Sequence, residues 1–186
     1  MTRIVNIMPM AGLGKRFSES NYNLPKPLIL IKNKPMFIQA AKSMPKSSLN
    51  IFICNKRLAD QFKIRKILSK QFKNKYKLIK IKRTTMGQAN TCLLAKKYLK
   101  KNDKIFIHSC DSLINFETNN LIKDLNDYEG IIYTTKANKI HVKNSKSYGW
   151  VNLRKNYSDH NTPECLFHIP NLISIYTLRS FNSSKH

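Results

Sequence analysis

A chain of 186 residues with 41% hydrophobic content suits one domain with a real core, and no Pro/Gly/Ser-rich linker divides it into two. No apolar run approaches the roughly 18–20 residues needed to span a bilayer, which excludes a single-helix membrane anchor within this sequence. The net charge of +24 would suit a polyanionic partner, but the lysines are spread along the chain among many Asn and Ile residues, so composition alone assigns no dedicated nucleic-acid face.

Ile4–Met10 is a short apolar run ending at Ala11-Gly12-Leu13-Gly14, which predicts a buried strand entering a tight loop. It is too short for a signal-peptide core, so a cytoplasmic protein is expected. Leu28–Ile31 reads as a second extended piece. Pro35 stands where a helix would begin, and Met36–Met44 carries apolar residues at helical spacing. Asn50–Cys54 predicts a strand, Leu58–Phe72 a lysine-rich helix and Tyr76–Ile81 an alternating strand. Thr85–Lys100 predicts a helix with Ala89, Cys92, Leu93, Ala95 and Leu99 near one face. Lys104–His108 reads as a strand delivering Ser109-Cys110-Asp111 at its C-terminal end. A helix over Asn119–Tyr128, a strand over Gly130–Thr135 and another near Tyr148–Val151 follow. Arg154–His186 shows no clean periodicity. Strands alternating with helices at this spacing predict a Rossmann-like three-layer α/β/α sandwich with a mostly parallel sheet. The expected organisation is one domain over 1–186, with a nucleotide-binding half at 1–135 and a divergent or truncated acceptor half at 136–186.

Cys54, Cys92, Cys110 and Cys165 are widely separated, without a CxxC pair or a histidine at metal-ligand spacing. They read as buried thiols. His108, inside an apolar strand, reads as a core histidine.

The loop Gly12-Leu13-Gly14-Lys15-Arg16-Phe17 has a physical use. Its glycines let backbone N–H groups approach phosphate oxygens, while Lys15 and Arg16 bring positive charge. In Leu24-Pro25-Lys26-Pro27-Leu28, two prolines stiffen the chain around Lys26 and fix the direction of its ammonium group. A Walker loop is excluded because Arg16, not Ser or Thr, follows Lys15. A dinucleotide fingerprint is excluded because Phe17 stands where its third glycine would be.

Pro9 to Phe17, then Pro25-Lys26-Pro27-Leu28, then Asn33-Lys34-Pro35-Met36 resemble, in order and spacing, the signature of the sugar-phosphate nucleotidyltransferase family, whose domain is GT-A-like. The resemblance continues through Thr85-Met86-Gly87-Gln88-Ala89 and Ser109-Cys110-Asp111-Ser112. It covers roughly residues 3–135 and Tyr148–Val151. These enzymes join a nucleoside triphosphate to a sugar 1-phosphate or related phosphomonoester and release pyrophosphate.

The resemblance implies that Ala11, Gly12, Gly14 and Lys15 bind the nucleotide, and that Gly87 and Gln88 read the base edge. It implies Arg16 and Lys26 as the catalytic cations on the phosphates, and Asp111 as the ligand of Mg²⁺. Without it, Gly87 and Gln88 could simply begin a helix, and Asp111 could cap a turn. Ser109 stands where the family often has Asn. The family's later features, a Glu-Lys pair, a Gly-rich strand and a second metal-binding Asp, have no clear match. Glu164 is followed by Cys165, and no glycine follows Gly149.

The leading expectation is therefore a transferase taking a nucleoside triphosphate and a phosphorylated small-molecule acceptor for surface polysaccharide precursors. A truncated or degenerate member that binds nucleotide without turnover is the second. A basic nucleic-acid-binding protein is the third, and nucleic acid is the least favoured partner. The sequence specifies neither the base nor the acceptor nor the oligomeric state.

Overall fold

A computed structural model of the chain describes residues 3–12, 24–113, 130–133, 139–143, 150–153, 165–168 and 175–178. It divides into two compact units. One comprises Met1–Ile131 with Tyr176–His186, and the other Ile132–Ile175.

The first unit starts with β1 (Ile4–Met10). A small antiparallel ladder follows, made of β2 (Leu30–Ile31) and β3 (Lys34–Pro35). Then come α1 (Met36–Ser43), β4 (Leu49–Asn55), α2 (Lys56–Gln61), α3 (Ile64–Phe72), β5 (Tyr76–Ile81), α4 (Gln88–Leu93) and β6 (Lys104–Ile107). β7 (Gly130–Tyr133) and β10 (Ile175–Leu178) complete a six-stranded sheet of order β5-β4-β1-β6-β10-β7. The β5/β4, β4/β1 and β1/β6 ladders are parallel, and β10 runs antiparallel to β6. The second unit contains α5 (Lys139–Lys143) and the antiparallel pair β8 (Trp150–Leu153) with β9 (Cys165–His168), joined in the register Trp150↔His168 to Leu153↔Cys165.

Successive strand residues point to opposite faces, so strands covered on both sides must be apolar throughout. On one face Val5, Ile7, Ile51, Ile53, Ile105 and Ile107 pack with Cys92 and Ala95 from the α4 region. On the other, Phe52 meets the ring of Phe37 from α1 edge-on at 6.1 Å and that of Phe72 from α3 at 5.2 Å. Helices thus cover both faces, which is the expected mostly parallel three-layer sandwich. Buried Asn6 and Asn50 are direct partners in the β1/β4 register. The Asn6 amide nitrogen donates to Asn50 Oδ1 at 3.1 Å and to the Pro45 carbonyl at 2.8 Å. Arg3 anchors the other end of β1 through a 2.7 Å ion pair with buried Asp103, just before β6. Among the described residues, no helix is long and apolar enough to cross a membrane.

Three expectations are corrected. The helix predicted over Leu58–Phe72 is two helices, because Lys63 adopts a left-handed conformation (φ 49°, ψ 42°) that neither can continue through. The helix predicted over Thr85–Lys100 keeps α-geometry only from Gln88 to Leu93 and then tightens into a 3-10 turn at Lys96–Tyr98. Ala89, Leu93 and Leu94 are exposed, so the buried face is Thr91, Cys92 and Ala95. The region after Arg154 contains β9 and β10 despite its weak periodicity. The helix expected over Asn119–Tyr128 lies outside the described residues.

A lysine in left-handed backbone costs about 1 kcal/mol relative to glycine, so Lys63→Gly should stabilise the protein by about 0.5–1 kcal/mol. Chemical denaturation checks this; a loss of stability would mean that the break between α2 and α3 needs the lysine side chain.

Candidate functional site

The topology locates the site before any side chain does. From β1 the chain crosses through α1 to β4 on one side, then returns through α4 to β6 on the other. The C-terminal ends of β1 and β6 therefore form the switch point of the sheet, where open α/β folds bind ligands. The ladder is continuous there: Ile7 pairs with Ile107, and the His108 N–H donates to the Ile7 carbonyl at 3.1 Å. Past these ends the chain presents Ala11 and Gly12 from one strand and residues 108–111 from the other.

Ala11 is buried. Gly12 is exposed, and a Cβ built on it would meet nothing within 4 Å, so open space lies beside this backbone. Gly14, Lys15 and Arg16 lie outside the described residues. Lys26 opens a 3-10 turn, Lys26–Leu28, which Leu28 closes with an N–H bond to the Pro25 carbonyl at 2.8 Å while Pro27 and Leu28 are buried. The stiff Pro-Lys-Pro segment thus has one side anchored in the core and the lysine turned to the other. The Lys26 ammonium forms an ion pair with Asp111 Oδ2, joining positions 85 residues apart.

Asp111 stands in a turn braced from behind. Buried His108 donates from Nε2 to the Ser112 carbonyl at 2.9 Å, and the Ser109 and Ser112 hydroxyls lie 2.6 Å apart. His108 thus has a structural role in the core, and burial holds its imidazole below the usual pKa against the opposing pull of Ser112 and Asp111. Burial pushes the Asp111 carboxyl up, but the Lys26 ammonium and a hydrogen bond from Ser109 outweigh it, so its pKa lies below the ordinary aspartate value. The Ser109 hydroxyl therefore does support the acid. It was visible in the sequence; its partners were not. Cys54 and Cys92 are buried as expected, whereas Cys110 is only half-buried by exposure; desolvation pushes all three thiols up to about 12.

Gly87 is the N-cap of α4, and Gln88 its first residue. The helix packs against β1. Gly87 has extended backbone (φ 167°, ψ 177°), and open space lies beside its Cα as at Gly12. The structure thus joins Lys26 to Asp111 and sets both beyond the strand ends that carry Ala11 and Gly12, all within the first unit. Two surface concavities of about 520 and 550 Å³ flank α3 and β5 instead, and none of these residues lines them.

Among the described residues there is no cluster of three or more His, Cys, Asp or Glu able to cage a metal. Asp111, a partly exposed carboxylate whose pKa lies below the ordinary aspartate value, does fit Mg²⁺, which is commonly held by one or two carboxylates and completed by substrate phosphates.

The sequence matches a family model described as nucleotidyl transferase over residues 6–161. No curated protein matches it. Among solved structures, it superposes on one assigned as a glucose-1-phosphate thymidylyltransferase from Bacillus anthracis with TM-score 0.71 and 12% identity, covering 95% of this chain and 71% of that one. A UDP-glucose pyrophosphorylase from Acinetobacter baumannii gives 0.65 at 15% identity, covering 96% and 75%. An inositol-1-phosphate CTP transferase from T. maritima gives 0.64 at 16%, covering 96% and 71%. At such identities these likenesses establish the fold.

Lowered in the folded protein, the Asp111 pKa contributes stability above its unfolded value that is lost as pH falls through the folded one. Lys26→Met should leave burial as the dominant influence and raise the Asp111 pKa above the ordinary value. Carboxyl titration by NMR checks this; an unchanged value would mean that Lys26 does not set the charge state of Asp111.

Proposed function

The chain belongs to the nucleotidyl transferase family, and from that membership we propose that it transfers a nucleotidyl group from a nucleoside triphosphate to a sugar 1-phosphate or similar phosphomonoester, releasing pyrophosphate. The observation that carries this reading is the Lys26–Asp111 pair at the switch point of the sheet, beside the open backbone of Gly12.

In the proposed reaction an oxygen of the acceptor phosphate forms a bond to the α-phosphorus. The bond from that phosphorus to its bridging oxygen breaks, and the electron pair leaves with pyrophosphate. A phosphomonoester with a second pKa near about 6 is already largely dianionic at neutral pH, so the site needs no general base. What it needs is positive charge where pyrophosphate departs, and positioning of both substrates. Lys26, oriented by Pro25 and Pro27, supplies one such charge, and Arg16 and Lys15 are assigned to the same triphosphate. Ala11, Gly12 and Gly14 give the nucleotide a backbone surface, and Gly87 with Gln88 reads its base. Asp111 would hold Mg²⁺, which would supply positive charge to the triphosphate. The product would be an activated precursor of the kind used for surface polysaccharide.

Pyrophosphate release should be measured with Mg²⁺, each common nucleoside triphosphate, and a panel of sugar 1-phosphates plus phosphocholine. Release that requires one nucleotide and one acceptor is expected; none across the panel would overturn the proposal. Lys26→Ala should lower kcat by roughly 10²–10³-fold, as loss of one transition-state donor does, whereas Lys101→Ala should have no comparable effect. Gly12→Ala should weaken nucleotide binding without lowering Tm, because its methyl meets no protein atom within 4 Å. A fall in Tm would instead mark Gly12 as structural.

A further inference from the structure

Gly87 caps α4 with extended backbone and no side-chain cap, so the local sequence provides little to fix the direction in which the helix starts. Two hydroxyls provide it. Thr91 Oγ1 lies 3.0 Å from the Gly87 carbonyl oxygen, and Thr85 Oγ1 lies 2.9 Å from the same oxygen. The two hydroxyls are 2.5 Å apart, and the Thr91 backbone N–H reaches that carbonyl at 3.1 Å.

The proton count restricts how this works. Each hydroxyl has one proton, so the 2.5 Å contact between them is bonded only when one threonine donates to the other, which then donates to the carbonyl. The result is a relay that ends on Gly87 O. Thr91 is 5% exposed and fixed by the core, so the relay ties the peptide after Gly87 to the packed side of α4. The other side stays open: nothing lies within 4 Å of a Cβ built on Gly87, and the preceding Met86 is 98% exposed. A glycine free to rotate would otherwise leave Gln88 without a defined direction.

We propose that Thr85 and Thr91 are positioning residues that orient Gly87 and Gln88 for discrimination among nucleobases, the ligand being a base edge that offers both a donor and an acceptor to the Gln88 amide. This rests on the reading of the site given above. The two threonines need not touch the nucleotide. They act by holding the segment that does.

Valine keeps the shape of threonine and removes the hydroxyl, and serine keeps the hydroxyl. The experiment compares the wild type with Thr91→Val, Thr85→Val and Thr91→Ser. It measures Kd for the four Mg²⁺–nucleoside triphosphates by calorimetry, kcat with the preferred one, and amide hydrogen exchange over residues 86–89. Each valine variant should narrow the ratio between best and worst nucleotide by about five- to tenfold, the effect of losing one hydrogen bond. Exchange at Gly87 and Gln88 should accelerate, kcat at saturation should hold, and Thr91→Ser should behave as wild type. Discrimination unchanged in the valine variants, while the wild type still discriminates, overturns the inference alone. So does a serine variant that behaves like valine, because packing would then explain the effect. A wild type that binds none of the four nucleotides overturns the reading of the site and this inference with it.

Discussion

β1 is bonded on both sides by parallel neighbours, and that constraint organises the first unit. Parallel strands cannot be joined by tight turns, so each connection must cross a face of the sheet. Those crossovers put α1 and α3 on one face and α4 on the other, and they require both faces of β1 to be apolar along Val5, Ile7 and Met8. They also bring the loops after β1 and β6 out side by side. Lys26 and Asp111, 85 positions apart in the chain, meet because the ladder brings out together the segments that follow β1 and β6.

The chain carries a large positive charge, yet the site depends on one cation and one anion. With side chains 28% and 25% exposed, Lys26 and Asp111 form a pair whose contribution to stability is small, well under about 1 kcal/mol after screening by solvent. Its importance is in orientation and charge state. The pair lowers the Asp111 pKa within a turn whose burial pushes it up. On the proposed reading, a phosphate and its metal ion would offer each partner a replacement of the same sign as the one it gives up.

The sequence was informative where a segment's structure is decided by its own residues. β1, β4 and β5 match their apolar runs closely, and α1 starts where Pro35 predicts. The break at Lys63 was hidden because no glycine or proline marks it, and a left-handed lysine resembles any other in a lysine-rich helix. β10 left only a faint trace, a loose likeness of Ile169–Tyr176 to the family's returning strand, because it is a strand by virtue of pairing with β6, some seventy residues earlier, and the sequence pattern holds no record of that partner. At the site the division is similar. Lys26 and Asp111 could be read from motifs, since prolines and a strand end announce them. Thr85 and Thr91 could not, because a hydroxyl's role depends on what the fold places within 3 Å.

The Asn6–Asn50 pair has a consequence for how this chain reaches its fold. β1 and β4 are short, each buried along most of its length, and largely interchangeable in hydrocarbon terms. A newly made chain could slide one against another with little loss of apolar contact. A slip of one residue would set Asn6 against Leu49 or Ile51 and strand its amide among side chains that cannot bond it, while Asn50 would keep Ser47 and Lys75 and lose its partner across the ladder. Two polar residues in an oily sheet thereby act as an address label, making the wrong alignment costly before the helices close over it.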